Sequence, residues 1–243
     1  LNKSKVQLLK MMPQSPRCRI LVECASNHGG SLDCIDRMIE AAQAADFVKF
    51  QAYQTVRLSS DDPQYAWLKQ AELSLTTIQH ILDKLGPRAL FSVFDSAMVY
   101  RLRKLGAQSF KVGHADRWRQ LWQAASSDEE WFVSYAWGGQ LPILPSHSIT
   151  PLAVIPIYPA PLGALAVLPA GLTGYSDHTV GLDACKIMMA RGATVIEKHF
   201  SIEGCPRRQP WDMDEAGLAE LVAWSKVCAT AQNGTDQTER WGR

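Results

Sequence analysis

Residues 172–200 read LTGYSDHTVGLDACKIMMARGATVIEKHF, and the order of apolar runs in this stretch indicates the fold. The runs at 172–175 and 194–198 predict two strands. The apolar spacing of 182–191, ended by Gly192, predicts a helix between them. A strand, a helix and a second strand in this order form a unit whose two strands lie parallel.

The same alternation continues outward over most of the chain. Further short apolar runs predict strands at 19–23, 47–51, 89–94, 109–112, 131–134 and 152–155. Periodic apolar positions predict helices over 31–45, 76–85, 96–105, 117–125 and 213–230. The polar residues of 55–69 predict a loop, and the glycines and prolines of 135–151 argue against a regular helix there.

Eight strands that alternate with helices predict a single-domain (β/α)₈ TIM barrel over 18–232, in which the helix after strand five is degraded. The chain has 243 residues, the size of one such barrel. We expect an N-terminal extension at 1–17 and a polar tail at 233–243. A doubly wound open sheet is the competing fold, but it usually carries a glycine-rich phosphate turn after its first strand, and Ser-Asn-His-Gly-Gly at 26–30 is not that turn.

The composition excludes several classes of protein. The net charge of +1 provides no general attraction for nucleic acid or for an anionic membrane, so neither is expected as a partner. No stretch approaches the apolar length of a membrane span, and residues 1–17 lack the apolar centre of a signal peptide. None of the six cysteines forms a C-x-x-C pair, so we expect reduced, mostly buried thiols and a cytoplasmic location.

Polar residues stand where the predicted strands end, which is where a barrel of this kind places its active site. Any one of them is more often structural than functional, so the signal is their convergence on one mouth. Two lysines and three serines would form a ring of cations and hydroxyl groups that suits a phosphate. They are Lys49, Ser92, Lys111, Ser134 and Ser176.

A second set of residues suits metal binding and proton transfer. His178 and His199 follow adjacent strands and could supply two nitrogens to one divalent metal ion. Glu23 and Asp116 are carboxylates available for proton transfer or for holding a substrate hydroxyl. The two sets together indicate condensation or cleavage of a phosphorylated small molecule, without identifying which.

Four segments together resemble the sialic acid synthase family, that is, the N-acetylneuraminate synthases and their nonulosonate relatives. They are VECASNHGG at 22–30, FVKFQ at 47–51, GYSDHT at 174–179 and VIEKHF at 195–200. The resemblance implies a barrel that condenses phosphoenolpyruvate with the open-chain aldehyde of an N-acetylated hexosamine, releases phosphate and makes a 2-keto sugar acid. It also implies Mn²⁺ or Mg²⁺ as cofactor and a homodimer.

The resemblance assigns a role to each candidate residue. His178 and His199 match the metal ligands, and the ring of lysines and serines matches the phosphoenolpyruvate site. Glu23 and Asp116 match acidic positions near the reacting atoms, where Asp116 replaces the more usual Glu. We expect three further residues at the sugar end: Gln51, Tyr158 and Asp212.

The sugar end also departs from the family pattern. Pro156 stands where the family has an Asn, and CPRRQPWD at 205–212 replaces a Pro-Gly-Pro-Asp-His stretch, so that Asp212 or Arg207 and Arg208 could serve a different acceptor. The family's C-terminal antifreeze-like domain does not follow the barrel in this sequence. These departures motivate an alternative, a catalytically inactive barrel that binds a phosphorylated ligand or acts as a partner subunit. A lyase that acts on an existing keto acid is a third reading.

Overall fold

A closed barrel of eight parallel strands forms the molecule. The structure, a computed structural model, describes residues 17–57, 59–114, 121, 125–138, 149–168 and 172–234. The strands pair in chain order, and the last one closes the barrel against the first. They are β1 (Arg19–Ala25), β2 (Phe47–Ala52), β3 (Ala89–Val93), β4 (Ser109–Val112), β5 (Glu130–Ala136), β6 (Ile149–Val154), β7 (Gly174–Asp177) and β8 (Val195–His199). The predicted (β/α)₈ barrel is confirmed.

Helices follow several of the strands along the described part of the chain. They are α1 (Leu32–Ala41), α2 (Tyr65–Gln70), α3 (Leu75–Leu85), α4 (Ser96–Lys104), α5 (Asp183–Ala190) and α6 (Glu215–Gly234). Three of them begin at a side chain that accepts a hydrogen bond from a backbone N–H of the first turn, as helix N-caps do. These caps are Ser31 for α1, Ser74 for α3 and Asp95 for α4. Within the described ranges, no helix is long and apolar enough to cross a bilayer.

The barrel interior changes from apolar to charged along the strands. Alternate residues of a strand point inward, and one inward layer is an apolar cluster made of Leu21, Phe47, Leu90, Phe132, Leu152 and Val195. Two residues farther along β1, β2, β3, β5 and β8 stand Glu23, Lys49, Ser92, Ser134 and Glu197, all of them buried. The strand register therefore places a polar layer directly over an apolar one.

The residues between these inward positions face the surrounding helices. Lys198 and Asp177 are fully buried there, with Lys198 Nζ 2.5 Å from Asp177 Oδ2. The Asp177 carboxylate also accepts hydrogen bonds from Thr179 N at 3.0 Å and from Cys185 Sγ, in α5, at 3.3 Å. This ion pair therefore joins β7, β8 and α5 on the outer side of the barrel.

Two predicted elements differ from the structure. The loop predicted over 55–69 contains α2, which tertiary contacts stabilise: Tyr53 Oη donates to Leu68 O at 2.8 Å, and Trp67 Nε1 donates to Ser26 Oγ at 2.9 Å. Strand β6 begins at Ile149 and not at 152. The helix predicted over 117–125 and the degraded segment after β5 lie largely outside the described residues, as do the extension at 1–16 and the tail from 235.

The expectation of six reduced cysteines is wrong for two of them. Cys34 in α1 and Cys205 after β8 form a disulfide, with 5.9 Å between their Cα atoms and a sequence separation of 171. Such a separation leaves no spacing motif to recognise, and the two residues meet because β1 and β8 are neighbours in the closed barrel. The other four cysteines are free and buried: Cys18, Cys24, Cys185 and Cys228.

Candidate active site

Two lysines and two glutamates form a charged layer at the mouth of the barrel. Glu197 lies between the lysines, with its Oε2 3.3 Å from Lys49 Nζ and its Oε1 3.5 Å from Lys111 Nζ. Lys49 also forms an ion pair with Glu23. All four side chains are buried, so their charges interact through little solvent. We call Glu23, Lys49, Lys111 and Glu197 the charged layer.

Serines from three strands fix the orientation of this layer. Lys49 Nζ donates to Ser92 Oγ at 3.0 Å, and Lys111 Nζ donates to Ser134 Oγ at 2.7 Å. Ser176 Oγ donates to Glu197 Oε1 at 2.7 Å. The ring of lysines and serines that the sequence predicts is therefore assembled in the structure, with a carboxylate at its centre.

Burial and charge act in opposite directions on the pKa values of the layer. Burial lowers the pKa of Lys111 to about 8, against the opposing charge of Glu197. For Lys49, burial lowers the pKa, but the charges of Glu197 and Glu23 outweigh burial and leave the pKa above its ordinary value. For Glu197, burial raises the pKa, but Lys111 and Lys49 together hold it below its ordinary value. Lys49 and Glu197 are thus charged at neutral pH, and Lys111 loses its proton not far above it.

Two neutral histidines lie beside the charged layer. The ring centroids of His178 and His199 are 5.4 Å apart. Burial lowers the pKa of His178 to about 4 and that of His199 well below its ordinary value, so both imidazoles are neutral at pH 7. His178 Nδ1 lies 3.2 Å from the carbonyl oxygen of Ile155, and the Tyr158 ring stacks on His178 at 3.8 Å between centroids.

This pair fits a divalent metal ion. Neutral imidazole is the ligating form of histidine, and a backbone carbonyl at Nδ1 leaves the Nε2 of His178 for the metal. The described residues contain no cluster of three or more His, Cys, Asp or Glu side chains that could hold a metal ion. A metal held by His178 and His199 would therefore take its other ligands from water or substrate, or from the rest of the chain.

Asp212 lies against His199 and supports the segment that follows β8. Its Oδ2 accepts hydrogen bonds from Asn27 Nδ2 at 2.9 Å and from Gln209 N at 2.7 Å. Its Oδ1 is 3.8 Å from His199 Nδ1 and, among the described residues, is buried without a hydrogen-bond partner. Burial raises the pKa of Asp212 to about 6.

A cavity of about 350 Å³ opens from this group toward the loops. Three candidate residues line this cavity: Gln51, Tyr158 and His199. Arg207 and Trp211 line it from the segment after β8. Gln64 and Leu68 line it from the segment after β2, and four further residues contribute: Ala25, Ser26, Asn27 and Gln209. The cavity therefore lies between the candidate metal ligand His199 and two segments whose roles the sequence left open.

The structure brings together all but one of the candidate residues. Asp116 lies outside the described residues. The others converge on the charged layer, the histidine pair and the cavity, and their chemical roles stay predictions. Sequence reasoning missed Glu197 as the centre of the layer, although it stands in the VIEKHF segment. It also missed the cavity wall formed by Gln64 and Trp211, which no motif marks.

Comparisons with known proteins show what this chain is similar to. The NeuB family model matches residues 164–234. An N,N'-diacetyllegionaminic acid synthase of Campylobacter jejuni is 29% identical over 225 residues, which cover 76% of this chain and 67% of the relative. An uncharacterised protein of Methanocaldococcus jannaschii is 29% identical over 209 residues, which cover 76% of this chain and 62% of the relative.

A solved structure supports the fold. The crystal structure of the N-acetylneuraminic acid synthetase of Leptospira borgpetersenii has a TM-score of 0.75 and 23% identity, and the match covers 93% of this chain and 90% of that chain. The chain spans 62% and 67% of the lengths of the two curated relatives above. The NeuB match over residues 164–234 and the legionaminic acid synthase relative show that the chain is similar to sialic acid synthase-like proteins.

Proposed function

We propose that the chain is a synthase that condenses phosphoenolpyruvate with an aldehyde sugar and releases phosphate. The observation that carries this proposal is the buried pair Lys49 and Lys111, oriented by Ser92 and Ser134 next to two neutral histidines. The names of two of the similar proteins, a legionaminic acid synthase and an N-acetylneuraminic acid synthetase, support the same reaction class.

The charged layer is the candidate site for phosphoenolpyruvate. Its phosphate and carboxylate groups carry negative charge, and Lys49 and Lys111 are held where they can neutralise it. Charge-assisted hydrogen bonds from two buried ammonium groups are stronger than those from exposed lysines, because little water competes with them. Glu197 lies within ion-pair distance of both lysines, and its charge raises the pKa of each.

His178 and His199 would hold a divalent ion, Mn²⁺ or Mg²⁺, which as a Lewis acid polarises the acceptor aldehyde. The protein's own contribution here is orientation. Tyr158 stacks on His178 at 3.8 Å between ring centroids, and the carbonyl of Ile155 fixes its Nδ1. Burial of both imidazoles keeps them unprotonated and available as ligands.

The reaction forms one bond between carbon atoms and breaks one bond to phosphate. C3 of phosphoenolpyruvate bonds to the aldehyde carbon, the aldehyde oxygen takes a proton, water adds at C2, and phosphate leaves to give a 2-keto acid. Glu23 is the candidate group for proton transfer at the aldehyde oxygen, because it is a buried carboxyl in the charged layer; burial raises its pKa, and the charge of Lys49 opposes this effect. Gln51 Nε2 donates to Glu23 Oε1 at 3.0 Å and orients it.

The test is incubation with phosphoenolpyruvate, Mn²⁺ and a panel of N-acetylhexosamines, with inorganic phosphate and pyruvate both measured. Release of phosphate that depends on the sugar supports the synthase. In a separate incubation with a 2-keto sugar acid and Mn²⁺, release of pyruvate would instead indicate a lyase. Calorimetric binding of phosphoenolpyruvate without turnover on any sugar would favour the inactive barrel.

A further inference from the structure

One arginine in the cavity wall is held by neutral groups. The Nη1 of Arg207 donates to Gln64 Oε1 at 3.5 Å, and its guanidinium lies over the Trp67 ring, 5.5 Å from the centroid. The side-chain oxygen of Gln209, in the orientation that satisfies its hydrogen bonds, accepts from Nε at 2.6 Å and from Nη2 at 3.1 Å. Within the described ranges, no carboxylate lies within ion-pair distance of Arg207.

This arrangement leaves the guanidinium with unused hydrogen-bond donors. A guanidinium has five N–H groups, and the contacts with Gln64 and Gln209 use three of them. The two that remain, one on each terminal nitrogen, are available to the oxygens of a phosphate or carboxylate. The side chain is half-buried, so its charge is only partly screened by solvent.

The segment that carries Arg207 is braced on both sides. The backbone N–H of Arg207 donates to Asn27 O at 3.3 Å, and its carbonyl oxygen accepts from Ser201 Oγ at 3.0 Å. The Cys34–Cys205 disulfide ties the same segment to α1. A guanidinium on a segment held in this way loses little conformational entropy when a ligand binds.

Arg207 also brings charge to an otherwise neutral cavity. Of the described residues that line the cavity, Arg207 alone carries a formal charge at neutral pH, because His199 is neutral and the others have amide, hydroxyl, aromatic or apolar side chains. In the charged layer, by contrast, two carboxylates lie among the two lysines. Among the described lining residues, Arg207 is therefore the charged side chain available to an anionic group that lies away from His199.

We propose that the acceptor is an aldehyde sugar carrying an anionic group, a phosphate or a carboxylate, and that Arg207 binds this group. The inference rests on the proposed function for the identity of the acceptor as a sugar. It adds the charge class of that sugar and the residue that selects it. Tyr158 and Trp211 supply aromatic surfaces for the apolar faces of the sugar, and Gln51 supplies a polar contact near the histidines.

The decisive measurement separates binding from turnover. The probes are the sugar alcohols of N-acetylmannosamine, N-acetylglucosamine and N-acetylgalactosamine, which lack the aldehyde and cannot react. Each is titrated calorimetrically, with and without a 6-phosphate, into the protein loaded with Mn²⁺ and phosphoenolpyruvate. The 6-carboxylate analogues form a third arm, which distinguishes phosphate from carboxylate. At least one anionic probe should bind about tenfold tighter than its neutral counterpart, the effect of about one charge-assisted hydrogen bond.

Neighbouring arginines provide a matched pair of variants. Arg207→Gln should abolish the preference for the anionic probe, and Arg207→Lys should retain part of it because the charge remains. Arg208→Gln should leave the preference unchanged, since Arg208 is exposed, pairs with Asp214 at 3.1 Å and does not line the cavity. Thermal unfolding of each variant verifies that it is folded.

Several outcomes would overturn the inference. They are equal or tighter binding of the neutral probes, binding of no probe, or a preference that survives in Arg207→Gln. Phosphate release with the corresponding aldehyde sugars is measured separately. Turnover of neutral sugars without anionic preference would reject the anion site alone. An Arg207-dependent preference without turnover of any sugar would reject the synthase and keep the anion site.

Discussion

The carboxylate of Glu197 lies 3.5 Å from the ammonium group of Lys111, and both side chains are almost fully buried. Burial pulls the pKa of Lys111 down to about 8, and Glu197 is the strongest of the charges that oppose this effect. The charge state of the candidate phosphoenolpyruvate site is therefore sensitive to pH just above neutrality, and Glu197 is the largest charge that moves the pKa of Lys111 upward.

Phosphoenolpyruvate should bind more weakly as the pH rises through about 8, the pKa of Lys111. Below this pH, Lys111 carries the positive charge that attracts the ligand; above it, the amine is neutral and the attraction is lost. Calorimetric dissociation constants between pH 7 and 9.5 measure the effect. In Glu197→Gln the dissociation constant should begin to rise at a lower pH, because the charge that raises the pKa of Lys111 is gone.

Ser176→Ala is the matched control for that experiment. It removes the hydrogen bond to Glu197 but keeps the carboxylate charge. The dissociation constant should therefore rise at about the same pH as in the parent protein. An affinity that does not change across this range, or a profile that is identical in Glu197→Gln, would contradict the assignment of Lys111 to the ligand.

Lys49→Ala should weaken phosphoenolpyruvate binding by about tenfold to a hundredfold, the value of a charge-assisted hydrogen bond. Lys49 donates to Ser92 and lies next to two carboxylates, so its removal deletes a cation that no neighbour replaces. Lys186→Ala, which removes a surface lysine paired with Glu220, serves as control. Unchanged affinity in Lys49→Ala would move the phosphate site elsewhere.

His199→Ala should abolish Mn²⁺ binding, because one of the two imidazoles that face each other is lost. Electron paramagnetic resonance of free and bound Mn²⁺, recorded without substrates, measures this directly. His80→Ala, at a surface histidine that contacts Asp36, should bind Mn²⁺ like the parent protein. Equal affinity in the His199 variant would show that the metal is held by other residues.

Asp177→Asn should lower the free energy of unfolding by about 3–5 kcal/mol, since it leaves the fully buried Lys198 without its counter-ion. Urea unfolding measures the change. Asp214→Asn, which breaks an exposed pair with Arg208, should cost less than about 1 kcal/mol. Similar losses in the two variants would mean that the buried pair contributes no more to the free energy of unfolding than the exposed pair does.

Alkylation of the denatured, unreduced protein should label four of the six cysteines, those that are free in the structure. Reduction of the Cys34–Cys205 bond should lower the free energy of unfolding by about 2–4 kcal/mol, the usual effect of losing a cross-link. A Cys34→Ser/Cys205→Ser double variant should not respond to reductant. Labelling of all six cysteines would restore the expectation of reduced thiols.

The sequence predicted the barrel because short apolar runs alternate with stretches of helical periodicity along the chain. It placed the start of β6 at 152 because Pro151 was counted with the glycines and prolines of 135–151. At Pro151 the strand pairs only with β5, and its pairing with β7 begins at Ala153, so a residue without an N–H is tolerated on the open side.

The charged layer was predictable, whereas the cavity wall was not. Lys49, Lys111 and the serines lie on strands near the mouth of the barrel. The fold class alone predicts that the active site lies there. Arg207 and Gln64 are 143 residues apart in sequence and meet only because loops from β2 and β8 fold over the same mouth. Contacts of this kind depend on loop conformations that no periodicity encodes.

The alternation along β8 has a consequence for how this strand is held in place. Glu197 and His199 face the mouth, and Lys198, between them, pairs with Asp177 on the opposite side. A shift of pairing by one residue would drive a carboxylate and an imidazole into the apolar shell and release the lysine into the mouth. The ionic side chains of β8 therefore fix its register: the residues that line the candidate site also make a one-residue shift of the strand unfavourable.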